Sequence, residues 1–303
     1  MKSVEKRIEE FCIYHRDGDG ECNNVVLKAW ANKNCKTLQD KYELAYFFAI
    51  TYCVGSAVIL FRDRKQVFSN TSAWVAENKQ NLVFQSDRKY IRMRDSFEKC
   101  LNHFKTINNV DDFLKRVTEN NKIMLKKAIP YVSSWVLFGR FSAFLFLETF
   151  VELTGIDIEN TTIVWKDGNT ATSGLMNVFG HDEPANFFDK TGNLVIPTEA
   201  MDEMLLYLLM RIGITGGNTN VTEVETSLCA YRKFYKGSRY NGYYLDRMLE
   251  EIYFLEQKHP EIARELLEIR ASNFNAKYLG ELSGWRGVRR GMKKLYLETG
   301  MIP

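Results

Sequence analysis

The chain has 303 residues, enough for one large domain or two ordinary ones, and 45% of them are hydrophobic, which excludes a disordered chain. Forty-one Lys and Arg against 38 Asp and Glu leave a formal charge of +3, too small to announce a nucleic-acid partner, so any DNA-binding surface must be local. Six scattered cysteines without a CxxC pair or a His at ligand spacing give no sign of a zinc site or a disulfide scaffold, and the charged opening MKSVEKRIEE lacks the apolar core of a signal peptide.

In chain order, apolar periodicity predicts helices over 4–13, 24–31, 38–61, 71–77, less cleanly 86–104, and 110–127, the last opened by an Asp111/Asp112 cap. Residues 45–61 carry no formal charge but contain Thr51, Tyr52, Cys53, Gly55 and Ser56, and read as a buried core helix rather than a membrane span. Pro130 precedes a helix expected over 131–153, ended by Gly155. Residues 159–181 read as an irregular or short-stranded insert, and helices resume over 198–211, 222–235, 242–258, 260–273 and 285–297. The expectation is a mainly α, single multi-helical domain over 1–303, with sub-lobes at most at 1–128 and 129–303.

Six stretches hold candidate chemistry. DRKYIRMR, at 87–94, brings Arg88, Lys89, Arg92 and Arg94 around Tyr90; WRGVRRGMKK, at 285–294, does the same with Trp285, Arg286, Arg289 and Arg290. Such runs are usually solvated, but interleaved aromatics allow backbone contact plus stacking. In SSWVLFGRFSAFLFLE, Arg140 falls between Phe138 and Phe141, and a guanidinium among apolar residues needs an anion or carbonyls to replace its water; the bland alternative is a structural ion pair. WKDGNTATSG offers Asp167 and the hydroxyls of Thr170, Thr172 and Ser173, with amides freed by Gly168 and Gly174, as an anion-binding loop, although an ordinary capped turn has the same pattern. ETSLCAYRK aligns Glu225, Cys229 and Arg232 on one helical face beside Lys233. Finally, SRYNGYYLDRMLEEIYFLEQ places Arg239, Tyr243, Asp246, Arg247 and Glu250 on one face of a helix, with Tyr240 and Tyr244 among the charges and Leu245, Leu249, Ile252 and Tyr253 on the core side. A solvated face is the ordinary reading of such a stripe, but the tyrosines favour a recognition surface.

The blocks SSWVLFGRFSAFLFLE, WKDGNTATSGL, ETSLCAYRK and RYNGYYLDR, in that order, resemble those of the phage amino acid:DNA transferases, relatives of the α-glutamyl/putrescinyl thymine pyrophosphorylases of thymidine hypermodification. The resemblance implies an all-helical fold, like a helical DNA glycosylase at best by analogy. It also implies transfer of an amine or amino acid onto a pyrophosphorylated 5-hydroxymethyluracil in DNA. Arg140, Arg232 and Arg247 are then expected to hold the pyrophosphate, Asp246 first and Asp167 second to take the proton or give electrostatic support, and Trp135, Tyr243 and Tyr244 to hold the flipped base. Thr172, Ser173, Gly174, Glu225, Arg239 and Tyr240 complete the expected substrate contacts. Arg88, Lys89, Lys233, Arg286, Arg289 and Arg290 are expected on the DNA backbone. No metal site or cofactor is expected beyond Mg²⁺ carried by the pyrophosphate. The expected partners are DNA containing modified thymine and a free amino acid or amine, in the cytoplasm, the host's if the chain is phage-encoded. The competing readings are a glycosylase-like base hydrolase and a non-enzymatic phage DNA- or protein-binding module.

Overall fold

A computed structural model describes residues 3–16, 22–85, 88–159, 161–165, 170–181, 196–235, 243–274 and 301–302. Among the described residues the α-helices are α1 (Val4–Arg16), α2 (Cys22–Asn34), α3 (Leu38–Thr51), α4 (Val54–Arg62), α5 (Arg64–Ser69), α6 (Thr71–Asn78), α7 (Arg94–Ile107), α8 (Val110–Val117), α9 (Leu125–Ser133), α10 (Arg140–Thr154), α11 (Thr170–Val178), α12 (Thr198–Ile214), α13 (Val221–Tyr235), α14 (Tyr243–Glu256) and α15 (Pro260–Asn273). Strands are two residues long: β1 (Phe84–Gln85), β2 (Thr118–Glu119), β3 (Lys122–Ile123) and β4 (Met301–Ile302), with β1 parallel to β4. The chain is therefore mainly α, as its periodicity implies. No helix among the described residues is long and apolar enough to cross a membrane.

The polypeptide divides into two compact units, neither of them a contiguous half of the chain. One comprises Met1–Cys22, Asn121–Lys126 and Asp157–Tyr243; the other comprises Asn23–Asn120, Lys127–Ile156 and Tyr244–Pro303.

In the smaller unit, α1, α11, α12 and α13 pack together. Gly174 lets α11 approach α13, because a Cβ there would lie 2.2 Å from the Leu228 carbonyl oxygen. Phe11 meets Tyr231 edge-on at 5.3 Å. His15 is buried, its Nε2 2.7 Å from the Asn218 carbonyl oxygen and its Nδ1 2.7 Å from Ser227 Oγ. A carbonyl only accepts, so Nε2 carries the proton and Nδ1 accepts from the serine.

The larger unit is centred on α3 against α10. Its core is aromatic: Tyr46 stacks on Phe104 at 3.8 Å, and Tyr42, Phe113, Trp135, Phe138, Phe146 and Phe150 surround them. Rings of this size contribute about 1.5–3 kcal/mol each by burial alone.

Four expected elements differ. The helix expected over 38–61 breaks at Tyr52, whose backbone is left-handed (φ 52°); Thr51 Oγ1 turns back to the Phe47 carbonyl at 2.8 Å, and α4 restarts after Cys53. The helix expected over 110–127 stops at Thr118, where Asn120 and Asn121 (φ 49° and 61°) separate two short strands, a conformation asparagine tolerates better than most residues. Pro130 lies inside α9 rather than before a helix, and the chain turns through 134–139 before α10 begins at Arg140. Lastly, part of the expected irregular insert, 170–178, is helix α11.

Candidate active site

The start of α10 and the break between α3 and α4 set the site in the larger unit. Gly139, extended at φ −119°, precedes α10 and has no side chain with which to cap it, so the first-turn amides and the Arg140 side chain share one helix end. Arg140 is half-buried, with its guanidinium carbon 4.6 Å over the Phe144 ring one turn on. It is thus the opening residue of a helix, not the mid-helix cation expected from sequence. Phe141, half exposed at 50%, contacts the Tyr52 ring at 5.7 Å and has Arg88 4.7 Å over its face.

Behind Phe141 lies a buried polar cluster. Tyr52 receives two guanidinium groups, Arg247 at 5.2 Å and Arg88 at 5.7 Å, and Arg247 also sits 5.3 Å from Tyr244. Arg247 is 2% exposed. It donates to Gln85 Oε1 and pairs, through Nε at 3.6 Å, with Glu251 one turn along α14. Gln85 returns the connection by donating Nε2 to Glu251 at 2.5 Å. Burial pushes the Glu251 carboxyl up to about 7, against the lowering effects of Arg247, Gln85 and the Cys53 thiol. Cys53 is itself pushed up by burial and by the neighbouring carboxylate. The left-handed, non-glycine Tyr52 is a strained position in contact with two buried cations, and strain of this kind, costing on the order of 1–3 kcal/mol, collects at functional sites.

The structure brings some of the expected residues together and moves others. Arg247 and Arg88 share the cluster, so Arg88, 4% exposed, is an interior group and not the surface cation expected on DNA; Lys89 beside it is exposed. Asp246 is fully buried, and Tyr244 nearly so, so this part of the α14 stripe is interior, neither a solvated face nor an exposed recognition surface. Tyr253, expected in the core, is 47% exposed. Trp135 is a core ring, with Phe146 at 4.9 Å and Phe138 at 5.4 Å, and is not placed to stack on a base.

In the smaller unit, Thr172, Ser173 and Gly174 are buried on α11 instead of lining a loop, and Gly174 serves the approach to α13. Glu225 and Tyr243 are buried, Arg232 is half-buried and Lys233 is exposed. Asp167, Arg239, Tyr240, Trp285, Arg286, Arg289 and Arg290 lie outside the described residues. Among the described residues no group of three His, Cys, Asp or Glu is disposed to hold a metal ion.

Sequence reasoning overlooked Tyr52, Gln85 and Glu251. For Glu251 a signal existed, since it stands four residues after Arg247 in LDRMLEE, the spacing of a helical ion pair. Gln85 had none, because 162 residues separate it from Arg247.

A sequence model of the amino acid:DNA transferase family matches residues 19–240, well over half of the chain. No curated protein matches it.

Proposed function

The chain belongs to the amino acid:DNA transferase family, and we propose that it displaces pyrophosphate from 5-pyrophosphoryloxymethyluracil in DNA with an amine or amino acid. In that reaction the nucleophile's nitrogen bonds to the exocyclic methylene carbon and the carbon–oxygen bond breaks. The electron pair leaves with pyrophosphate, and the proton from nitrogen passes to a base. Negative charge grows on the leaving oxygen, so the enzyme must present fixed cationic and N–H groups there.

The observation that carries this reading is the start of α10. Arg140 stands at the first position of a 15-residue helix whose N-cap is a glycine, so the positive end of the helix dipole, its first amides and a guanidinium coincide. Arg88, buried against Phe141, adds a second positive charge that its low-dielectric surroundings strengthen. Asp246, fully enclosed, suits electrostatic support of positive charge on the exocyclic methylene carbon better than collection of a proton from a solvent-borne amine. Mg²⁺, where present, arrives on the pyrophosphate as part of the substrate.

The test supplies purified protein with duplex carrying 5-pyrophosphoryloxymethyluracil and pooled amino acids and amines, then reads the digested nucleosides by mass spectrometry. The expected product is a 5-(aminomethyl)uracil substituted on nitrogen by the nucleophile, with stoichiometric pyrophosphate, and Arg140→Ala is expected to slow turnover about 10²–10³-fold, the usual effect of deleting one preorganised charge-stabilising group. Release of free base with an abasic site would instead identify a glycosylase-like hydrolase. Unchanged nucleosides despite tight DNA binding would identify a binding module.

A further inference from the structure

We propose that Leu137 and Phe141 form a wedge that enters the base stack of duplex DNA and holds open the gap left by the base undergoing modification. The proposal rests on the DNA transferase reading and deepens it by assigning how duplex substrate is opened.

Three observations converge. First, Leu137 and Phe141 are 46% and 50% exposed, although they flank Arg140 in a segment whose other large side chains, Trp135, Phe138 and Phe144, are buried. Second, Leu137 is held at φ 60°, a conformation that a leucine adopts only when its surroundings impose it. The surroundings are rigid: Phe138 N–H donates to the Trp135 carbonyl at 3.0 Å, Ser134 Oγ to the Tyr131 carbonyl at 2.6 Å, and the Cys100 thiol of α7 to the Val136 carbonyl at 3.6 Å. A strained turn braced on both sides thus projects an apolar side chain into solvent.

Third, the neighbouring surface is cationic. Arg88 is buried against Phe141 and anchors the start of a turn that carries exposed Lys89, Tyr90, Met93 and Arg94, with Arg92 half-buried. Tyr90 and Met93 are 69% and 62% exposed. Positive side chains beside an apolar tip match the two chemistries of a duplex, phosphates outside and stacked rings inside. The exocyclic carbon of a paired thymine faces the major groove; enclosing it in a water-excluding pocket takes the base out of the stack, and an inserted side chain replaces the stacking it loses.

The experiment uses the full chain and a duplex with 2-aminopurine beside the target position. Wild-type protein is expected to raise 2-aminopurine fluorescence several-fold. Leu137→Gly, which removes the wedge and also relieves the left-handed backbone, is expected to keep or raise the thermal midpoint while losing most of that rise; Phe141→Ala gives the same loss. In the transfer assay, modification of duplex is expected to fall at least tenfold more than modification of the same strand unpaired. An undiminished fluorescence rise in Leu137→Gly overturns the wedge, as does the finding that both variants lose concentration-dependent self-association and leave unstacking unchanged. Absence of duplex binding by the wild type overturns the wedge and the DNA reading together. Unstacking without modified nucleosides supports the wedge and refutes only the transfer chemistry.

Discussion

Glu251 shows how a single buried carboxyl ties charge to stability. Its ordinary value of 4.5 rises to about 7 on folding because desolvation outweighs the neighbouring arginine. A raised folded value means that the native state holds the proton more tightly, so its stabilising share is complete below about pH 4.5 and fades as pH climbs through 7. The span corresponds to about 3 kcal/mol at most. Glu251→Gln cannot titrate, so its stability relative to wild type is expected to improve progressively between pH 4.5 and 7; chemical denaturation at several pH values measures the difference, and a constant gap would refute it. At this scale sequence was a partial guide. Asp246 and Arg247 were conspicuous as a charged pair among tyrosines, but a helical wheel cannot tell a wet stripe from one sealed by Tyr52 and Gln85, which come from remote parts of the chain.

Two glycines separate close approach of helices from mere tight packing. Gly174 of α11 would place a Cβ 2.2 Å from the Leu228 carbonyl oxygen, a backbone atom of α13. Gly55 of α4 would place one 2.0 Å from Leu255 Cδ1, the tip of a flexible side chain. Gly174→Ala is therefore expected to cost about 2–4 kcal/mol by forcing the helices apart, and Gly55→Ala about 1 kcal/mol or less, since Leu255 can turn aside and alanine is the better helix former. Thermal unfolding of the two variants decides it; equal losses would count against this account. Helix existence was legible from apolar periodicity, whereas breaks were not. The interruption at Tyr52 has no Gly or Pro to mark it and follows from Thr51 turning back on its own helix and from the cations around Tyr52. Pro130 misled in the opposite sense, standing within α9 while the real break fell at 134–139.

Across the whole chain the two units carry opposite responses to acid. In the smaller one, burial lowers the His15 value below 6.5 despite the Asn218 carbonyl, so the native state favours neutral imidazole. Its stabilising share is present above about pH 6.5 and is lost as pH falls through the folded value. Acidification thus weakens the unit built on α1, α11, α12 and α13 while the Glu251 cluster gains. His15→Gln is expected to be less stable than wild type by about 1–3 kcal/mol near pH 8, from the disturbed hydrogen bonds to Ser227 and Asn218, with the gap narrowing toward pH 5. A gap that widens on acidification would contradict it. The all-helical class was readable because class depends on local period. The partition into interleaved units was not, since it depends on which distant helices meet.

The pairing of His15 with Ser227 joins residues 212 positions apart. Apolar side chains of α1 such as Ile8 and Phe11 therefore emerge long before α13 exists to cover them. At a synthesis rate of about 5–20 residues per second, that delay is on the order of 10–40 s. During synthesis α1 is an exposed amphipathic segment, a ready client for a chaperone, and slowing elongation between residues 157 and 235 is expected to lower soluble yield more than slowing it after residue 274.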